Sequence, residues 1–491
     1  MRRYSIRATE TEPSSGSNIQ MGSLGRSEDH FVLHKTRLDS RLRGNDRKER
    51  FANAPFSTAF LLSVFLVIAV AASATAKDIT LTEAIARAQS NSQRLRSAEA
   101  QLQSANQALS SARAERFPTL SATALASYVS EVPSLQLTLP VGPSISREMG
   151  SHETYQTDVR LSVPIFTGGR ISSGVSQASA AKDLSSAGLA QVQATVALAT
   201  RQAVINLYRA DMSKHAAQSA HERAQILARD VRSLHDAGAA DSVDLLEIQL
   251  ALTKAALQVD IAETARRSAA IVLGRLIQEE HPESLVIVEQ FPTPTSEDSL
   301  LVLPPNNKYE LLQASASIAS AEAQRRFASS DWFPTVALFG GYSYGKPNLD
   351  RFNDRWNDYF TTGATLSWSL NLGGKAASQV RRATYARNAY EHAASEMRAT
   401  LNQEARIARE QVVLAGRKYS ASFASFSIAS ERFRLAKLQF SEGTLSTNRL
   451  TDIQESLALA DSDKAVALTD YHLALSHYYF VIGSDKLEKG F

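Results

Sequence analysis

The chain of 491 residues contains no cysteine. Disulfides, thiolate zinc sites, a cysteine nucleophile and a cysteine-linked lipid anchor are therefore excluded. Charge of one sign is also missing from the body. Residues 1–50 hold 11 Lys/Arg against 7 Asp/Glu, residues 51–76 hold none, and residues 77–491 hold 42 against 43. The alkaline pI of about 8.9 belongs to the leader. The body lacks the basic excess of a nucleic-acid binder, and no nucleic-acid partner is expected. Long apolar runs are nearly absent. The longest, Phe56 to Ala72, follows the basic Arg47 to Arg50 and precedes Ala74-Thr75-Ala76. That is the order of a secretory signal, spanning 51–76 and cleaved before Lys77. The run is short for a membrane helix of about 20 residues. Residues 1–50 suit no signal n-region, so this segment is expected to be disordered or to lie upstream of the true start. Without the leader, the chain either is soluble or crosses a membrane as β-strands.

Proline is scarce in a telling pattern. None falls in 77–116, 168–281, 306–332 or 373–485. Proline costs about 3 kcal/mol inside a helix, so these tracts are where helices can run, and they are rich in Ala, Gln, Arg, Glu and Leu. Arg170 to His235 and Lys375 to Phe440 each suit one helix of about 100 Å. Apolar residues then step by three and four. Leu245, Ile248, Leu252, Ala255, Val259 and Ala262 form one such seam, and Leu450, Ile453, Leu457 and Ala460 form another. Such seams pack knobs into holes.

What is present is a duplication. RFPTLSATALASY (Arg116 to Tyr128) matches WFPTVALFGGYSY (Trp332 to Tyr344), and LSVPIFTGGR (Leu161 to Arg170) matches LSWSLNLGGK (Leu366 to Lys375). Gly238 falls on Gly443. The first copy carries a longer loop between its strands, with Pro133, Pro140 and Pro143. Val159, Leu161, Val163 and Ile165 alternate with polar residues, as do Phe360, Thr362, Ala364, Leu366, Trp368 and Leu370. This is strand periodicity. Strands near Thr119–Val129 and Thr335–Tyr344 precede them. Each repeat (77–280 and 307–491) thus reads helix, strand, loop, strand, long helix, turn, helix. A proline-rich linker, 281–306, separates them.

Four strands cannot close a barrel alone, because small closed barrels need about eight. An open edge in lipid is forbidden. If the strands cross a membrane, protomers must share one barrel, and three protomers supply twelve strands.

These features resemble the TolC-type outer-membrane efflux family. The carriers are LTEAIARA (Leu81 to Ala88), FPTL, VPIFTGGR, AGAADSVDLLEIQLAL (Ala237 to Leu252), SLNLGGK and FSEGTLSTNRLTDIQESL (Phe440 to Leu457). The resemblance implies an α+β channel-tunnel, a homotrimer with a twelve-stranded barrel in outer-membrane lipid. A periplasmic barrel of long antiparallel helices would continue it, with the linker in an equatorial belt. It implies a passive exit duct of a tripartite efflux pump or a type I secretion system in a Gram-negative bacterium. A periplasmic adaptor protein and an inner-membrane transporter would dock at the turns of Gly238 and Gly443. Gly168, Gly169, Gly373 and Gly374 would turn strand into helix.

The family gates its periplasmic end with acids six and nine residues after the second turn glycine. Here those positions are Arg449 and Asp452. Phe440 replaces a hydrogen-bonding tyrosine, and Leu445 replaces a basic partner. In the first repeat the matching positions are Asp244 and Glu247. An Arg449–Asp244 pair is a candidate substitute. The alternative to a duct is a soluble periplasmic coiled-coil scaffold. Enzyme chemistry finds little support. H-E-x-x-H is absent, and the phosphate-loop spacing of Gly340 to Lys346 is followed by Pro347 in place of Ser or Thr. No metal or cofactor is called for.

Overall fold

The two sequence repeats fold into two copies of one supersecondary unit. The structure, a computed structural model, describes residues 77–138, 140–294, 308–350 and 353–490. The expected extension (1–50), the signal segment (51–76) and the later part of the linker lie outside them. The first copy runs α2 (Gln93–Ala114), β2 (Thr119–Tyr128), β5 (Glu153–Phe166), α3 (Arg170–Asp236) and α4 (Ser242–Ile277). The second runs α5 (Tyr309–Ser329), β7 (Thr335–Lys346), β8 (Asn357–Ser367), α6 (Lys375–Ser441) and α7 (Thr447–Val481). Both long helices, α3 and α6, have 67 residues. The strand pairing repeats too: Thr119 faces Ser162 in the first hairpin, and Thr335 faces Ser367 in the second.

Local chemistry sets the helix ends. Gly169 and Gly374 hold φ of 87° and 75° at the N-caps of α3 and α6, a left-handed backbone that glycine adopts without penalty. Gly168 has a second constraint. A Cβ there would lie 2.7 Å from the Phe333 Cβ and 2.9 Å from the Ser330 oxygen, so this junction is packed against the other repeat. At the far ends, Gly238 and Gly443 take φ of 77° and 73°. The next amide of each bonds back to Leu234 and Gln439, the 6→1 closure of a helix C-terminus. Asp241 and Ser446 then cap α4 and α7.

The helices form one layer, a single wall. In its upper part the neighbours run α2, α3, α5, α6; in its lower part they run α4, α3, α7, α6. The sheet above has the order β2-β5-β7-β8. β2 lies on the α2 side and β8 on the α6 side, so strand and helix layers share the same two edges.

A belt surrounds the middle of the wall. β1 (Lys77–Ile79) pairs in parallel with β6 (Leu285–Ile287), and α1 (Leu81–Asn91) packs on α3. Ile79, Leu81, Ile85, Val204, Leu207, Leu273 and Leu285 are buried in its core. Burying each such side chain contributes about 2 kcal/mol. Arg201 is buried here. It donates from Nε to Ser476 Oγ at 2.9 Å and from Nη1 to the Lys489 carbonyl at 2.8 Å, holding the C-terminal segment against α3. Burial lowers its pKa to about 10, so it stays charged at neutral pH. His472 is buried beside it, with Nε2 2.9 Å from the Pro292 carbonyl. Burial, opposed by that hydrogen bond, lowers its pKa to about 4.

Three details depart from the sequence reading. The proline-free tract 77–116 breaks at Ser92, which caps α2 with its side chain. The long loop of the first copy contains a hairpin, β3 (Ser134–Leu137) with β4 (Ile145–Glu148). β8 ends at Ser367, short of Trp368 and Leu370, although their alternation continues the strand pattern.

Candidate functional site

The sheet is inverted relative to a soluble sheet. On β5, Val159 and Leu161 are 38% and 44% exposed, and Leu120 of β2 and Phe360 of β8 reach 71% and 69%. The opposite face is polar and more enclosed. Gln156 donates to both carboxylate oxygens of Asp158 at 3.0 Å and to the buried Ser343. The Arg160 guanidinium sits 4.2 Å from the centroid of the Phe339 ring. An apolar exposed face with a polar inner face is the pattern of a strand between lipid and a wet lumen.

Aromatic residues mark both limits of that apolar face. At the loop end, Tyr155 and Tyr344 stack on Trp356, with centroids 6.2 and 5.1 Å apart. At the helix end, Phe117, Trp332, Phe333 and Trp368 are exposed. About ten residues separate the two girdles. At about 3.4 Å per residue and a tilt near 40°, this gives roughly 25 Å, the height of an outer-membrane apolar band. Among the described residues no helix is long and apolar enough to cross a membrane.

Both edges of the wall are unpartnered. Ile407, Leu414, Ile428 and Leu435 recur at multiples of seven on α6, and all are exposed. Val243, Leu246, Leu250, Leu257 and Ile261 recur along α4 at steps of three, four and seven, and all are exposed. The seams foreseen from the sequence face inward. Ile248, Leu450, Ile453 and Leu457 are buried. The exposed stripes are therefore a second set, visible in the sequence only as surplus leucine and isoleucine.

The two helical turns lie together at one end. A small core of Leu227, Val231, Ile248, Ala436, Leu450 and Ile453 joins α3, α4, α6 and α7 there, with Phe440 and Leu445 packed on it. Phe440 is thus an apolar tip residue. Asp244 sits in the first turn of α4, where its amide donates to Asp241 at 2.8 Å. Glu247, one turn on, is half-buried, and Asp452 on α7 is exposed. Arg449 lines an open groove between α6 and α7 with Glu431, Arg432, Gln439 and Ile453. Within the chain, Arg449 and Asp244 do not pair.

The nucleotide-loop lookalike is settled by position. Gly340 to Lys346 lie within β7, not in a loop that opens a helix. The stretch Gly341 to Gly345 also carries a G-x-S-x-G spacing. A hydrolase elbow needs a strand-to-helix turn. Here Ser343 is in mid-strand, bonded to Gln156 and Asn348.

A family model described as outer membrane efflux protein matches residues 84–277 and 305–484. No curated protein matches the chain. Solved structures do. The outer-membrane channel OprN is 19% identical, with 83% of this chain and 91% of that one covered and a TM-score of 0.68. VceC of Vibrio cholerae is 15% identical, with 82% and 96% covered and a TM-score of 0.69. MtrE of Neisseria gonorrhoeae, solved in its open state, is 18% identical, with 82% and 89% covered and a TM-score of 0.66. At these identities the likeness speaks for the fold.

Proposed function

The chain belongs to the outer membrane efflux protein family, and from that premise we propose that three copies close into one passive exit duct. The outer membrane is its location. One observation carries the proposal: a four-stranded sheet, apolar on its exposed face, with β2 and β8 unpaired on their outer sides. In lipid such edges must be paired. Joining β8 of one copy to β2 of the next satisfies them. The same operation brings the apolar stripe of α6 against α4. This is a head-to-tail contact, which forms a ring when its rotation closes.

In this reading the twelve-stranded barrel crosses the outer membrane and the helices form a periplasmic tunnel. Residues 51–76 are removed as a signal. The repeats, 77–280 and 307–491, flank a linker that joins the equatorial belt. The tip is the gate. Asp244, Glu247 and Asp452 supply carboxylates around a threefold axis, Arg449 alternates with them, and Phe440 packs the constriction wall. The turns at Gly238 and Gly443 meet a periplasmic adaptor, which links the duct to an inner-membrane transporter. Cargo follows the transporter, in small-molecule efflux or type I secretion. Energy comes from that partner; the duct itself supplies no chemistry.

The duplication predicts the register of the inter-subunit seam. Within the chain, Val159 of β5 faces Tyr342 of β7. Their repeat equivalents are Ala364 of β8 and Ala126 of β2. In this cysteine-free chain, Ala126→Cys with Ala364→Cys is expected to give covalent dimers and trimers on mild oxidation in isolated membranes. Either single variant yields at most dimers. An oxidised double variant that stays monomeric contradicts the ring.

A further inference from the structure

We propose that each subunit junction, just below the apolar band, is a docking site for the anionic headgroup of a phospholipid in the periplasm-facing leaflet. The proposal rests on the ring closure above. The α2 edge ends on Arg113 and Arg116, and the α6 edge opens on Lys375, Arg381 and Arg382. All five are exposed, and among the described residues none makes an ion pair or side-chain hydrogen bond. Acid is sparse around them. α6 carries no carboxylate before Glu391, which Arg387 already holds at 2.6 Å. Glu115 is the lone acid near the end of α2.

Ring closure places these two edges side by side, because β2 follows α2 and β8 precedes α6. Lys375 to Arg382 covers only about 10 Å of helix, and Arg113 and Arg116 are one turn apart. Five cations therefore converge at each junction with one carboxylate among them. Like charges so placed repel, and among the described residues a single carboxylate, Glu115, leaves most of that charge uncompensated. An anion from outside the protein would compensate it. The height identifies its class. Phe117 and Trp368, both exposed aromatics of the helix-side girdle, lie between the cations and the apolar strands. Side chains at this level meet lipid headgroups, and basic residues there attract anionic ones. By contrast, the loop end of the sheet mixes Glu131, Glu148, Glu153, Asp354 and Asp358 with Arg147, Lys346 and Arg355, and Lys346 pairs with Asp354 at 3.1 Å, so a collar of cations with little acid among them belongs to one end of the sheet only.

The test uses full-length protein purified from outer membranes and reconstituted in vesicles of phosphatidylcholine, with or without about one quarter phosphatidylglycerol. Native mass spectrometry counts the lipids retained on the trimer. Wild type is expected to retain phosphatidylglycerol over phosphatidylcholine, up to one per junction, and inorganic phosphate is expected not to displace it. Arg381→Gln with Arg382→Gln should reduce the preference at least about tenfold, and the paired Lys variants should keep it. If the Gln pair fails to assemble, Arg113→Gln tests the other side of the junction. Equal retention of both lipids overturns the proposal. So does displacement by phosphate, or a change in the ion selectivity of the pore with lipid preference intact, which would place the cations in the lumen. Failure to form a trimer even in phosphatidylcholine would instead refute the ring.

Discussion

At the residue scale, the buried polar groups of the belt set the pH behaviour. His472 packs edge-on against Phe291, with centroids 5.0 Å apart, and its neighbour Arg201 disfavours a second positive charge. Its folded pKa of about 4 lies below the ordinary value of 6.5. Between those two values the unfolded chain binds a proton that the folded chain does not. Stability is therefore undiminished above pH 6.5 and falls as pH drops toward 4, by roughly 3 kcal/mol in all. His472→Gln is expected to remove this part of the slope. Thermal midpoints in detergent at pH 7.5 and pH 5 check it; equal drops in wild type and variant would contradict the assignment. Neither Arg201 nor His472 stands out in the sequence. Each is one polar residue in a helical tract, and the partners that bury it come from the linker and the C-terminal segment. The turn glycines, by contrast, were legible, because a positive φ leaves a recognisable mark at Gly238, Gly443 and Gly374.

At the element scale, the long helices and four main strands follow from sequence alone. Absence of proline, the three-four seam and period-two alternation are local signals that tertiary context did not override. What escaped was non-local or short. β1 and β6 have three residues each and pair across more than 200 positions, too few for any periodicity to show. The end of β8 was hidden because pairing with β7, not alternation, decides where it stops. The apolar stripe of α6 makes the sharpest prediction at this scale. Ile428 is 70% exposed in the single chain. Leu414→Glu with Ile428→Glu should cost the protomer little, within about 0.5 kcal/mol per site, yet place carboxylates in the neighbouring subunit's apolar face. Helical circular dichroism is expected to persist while the trimer is lost on size exclusion in mild detergent. A trimer that survives both substitutions would assign the stripe to something other than subunit contact.

At the scale of the whole molecule, the sheet and helical wall share the same pair of open edges, and the proposed ring satisfies both with one rotation. In the proposed ring the duplication makes the seam between subunits an approximate copy of the seam between repeats, so one kind of contact would be used six times. In the proposed duct the tip decides whether it conducts. A ring of Asp452 carboxylates there would favour cations, and Arg449 would oppose it. The most direct measurement is single-channel conductance of the purified protein in a planar bilayer, with Asp244→Arg beside wild type to unsettle a closed tip. The account predicts discrete, stable steps, rare or small in wild type and larger in the variant. Protein that is monomeric in mild detergent, with no steps from either form, would contradict the duct.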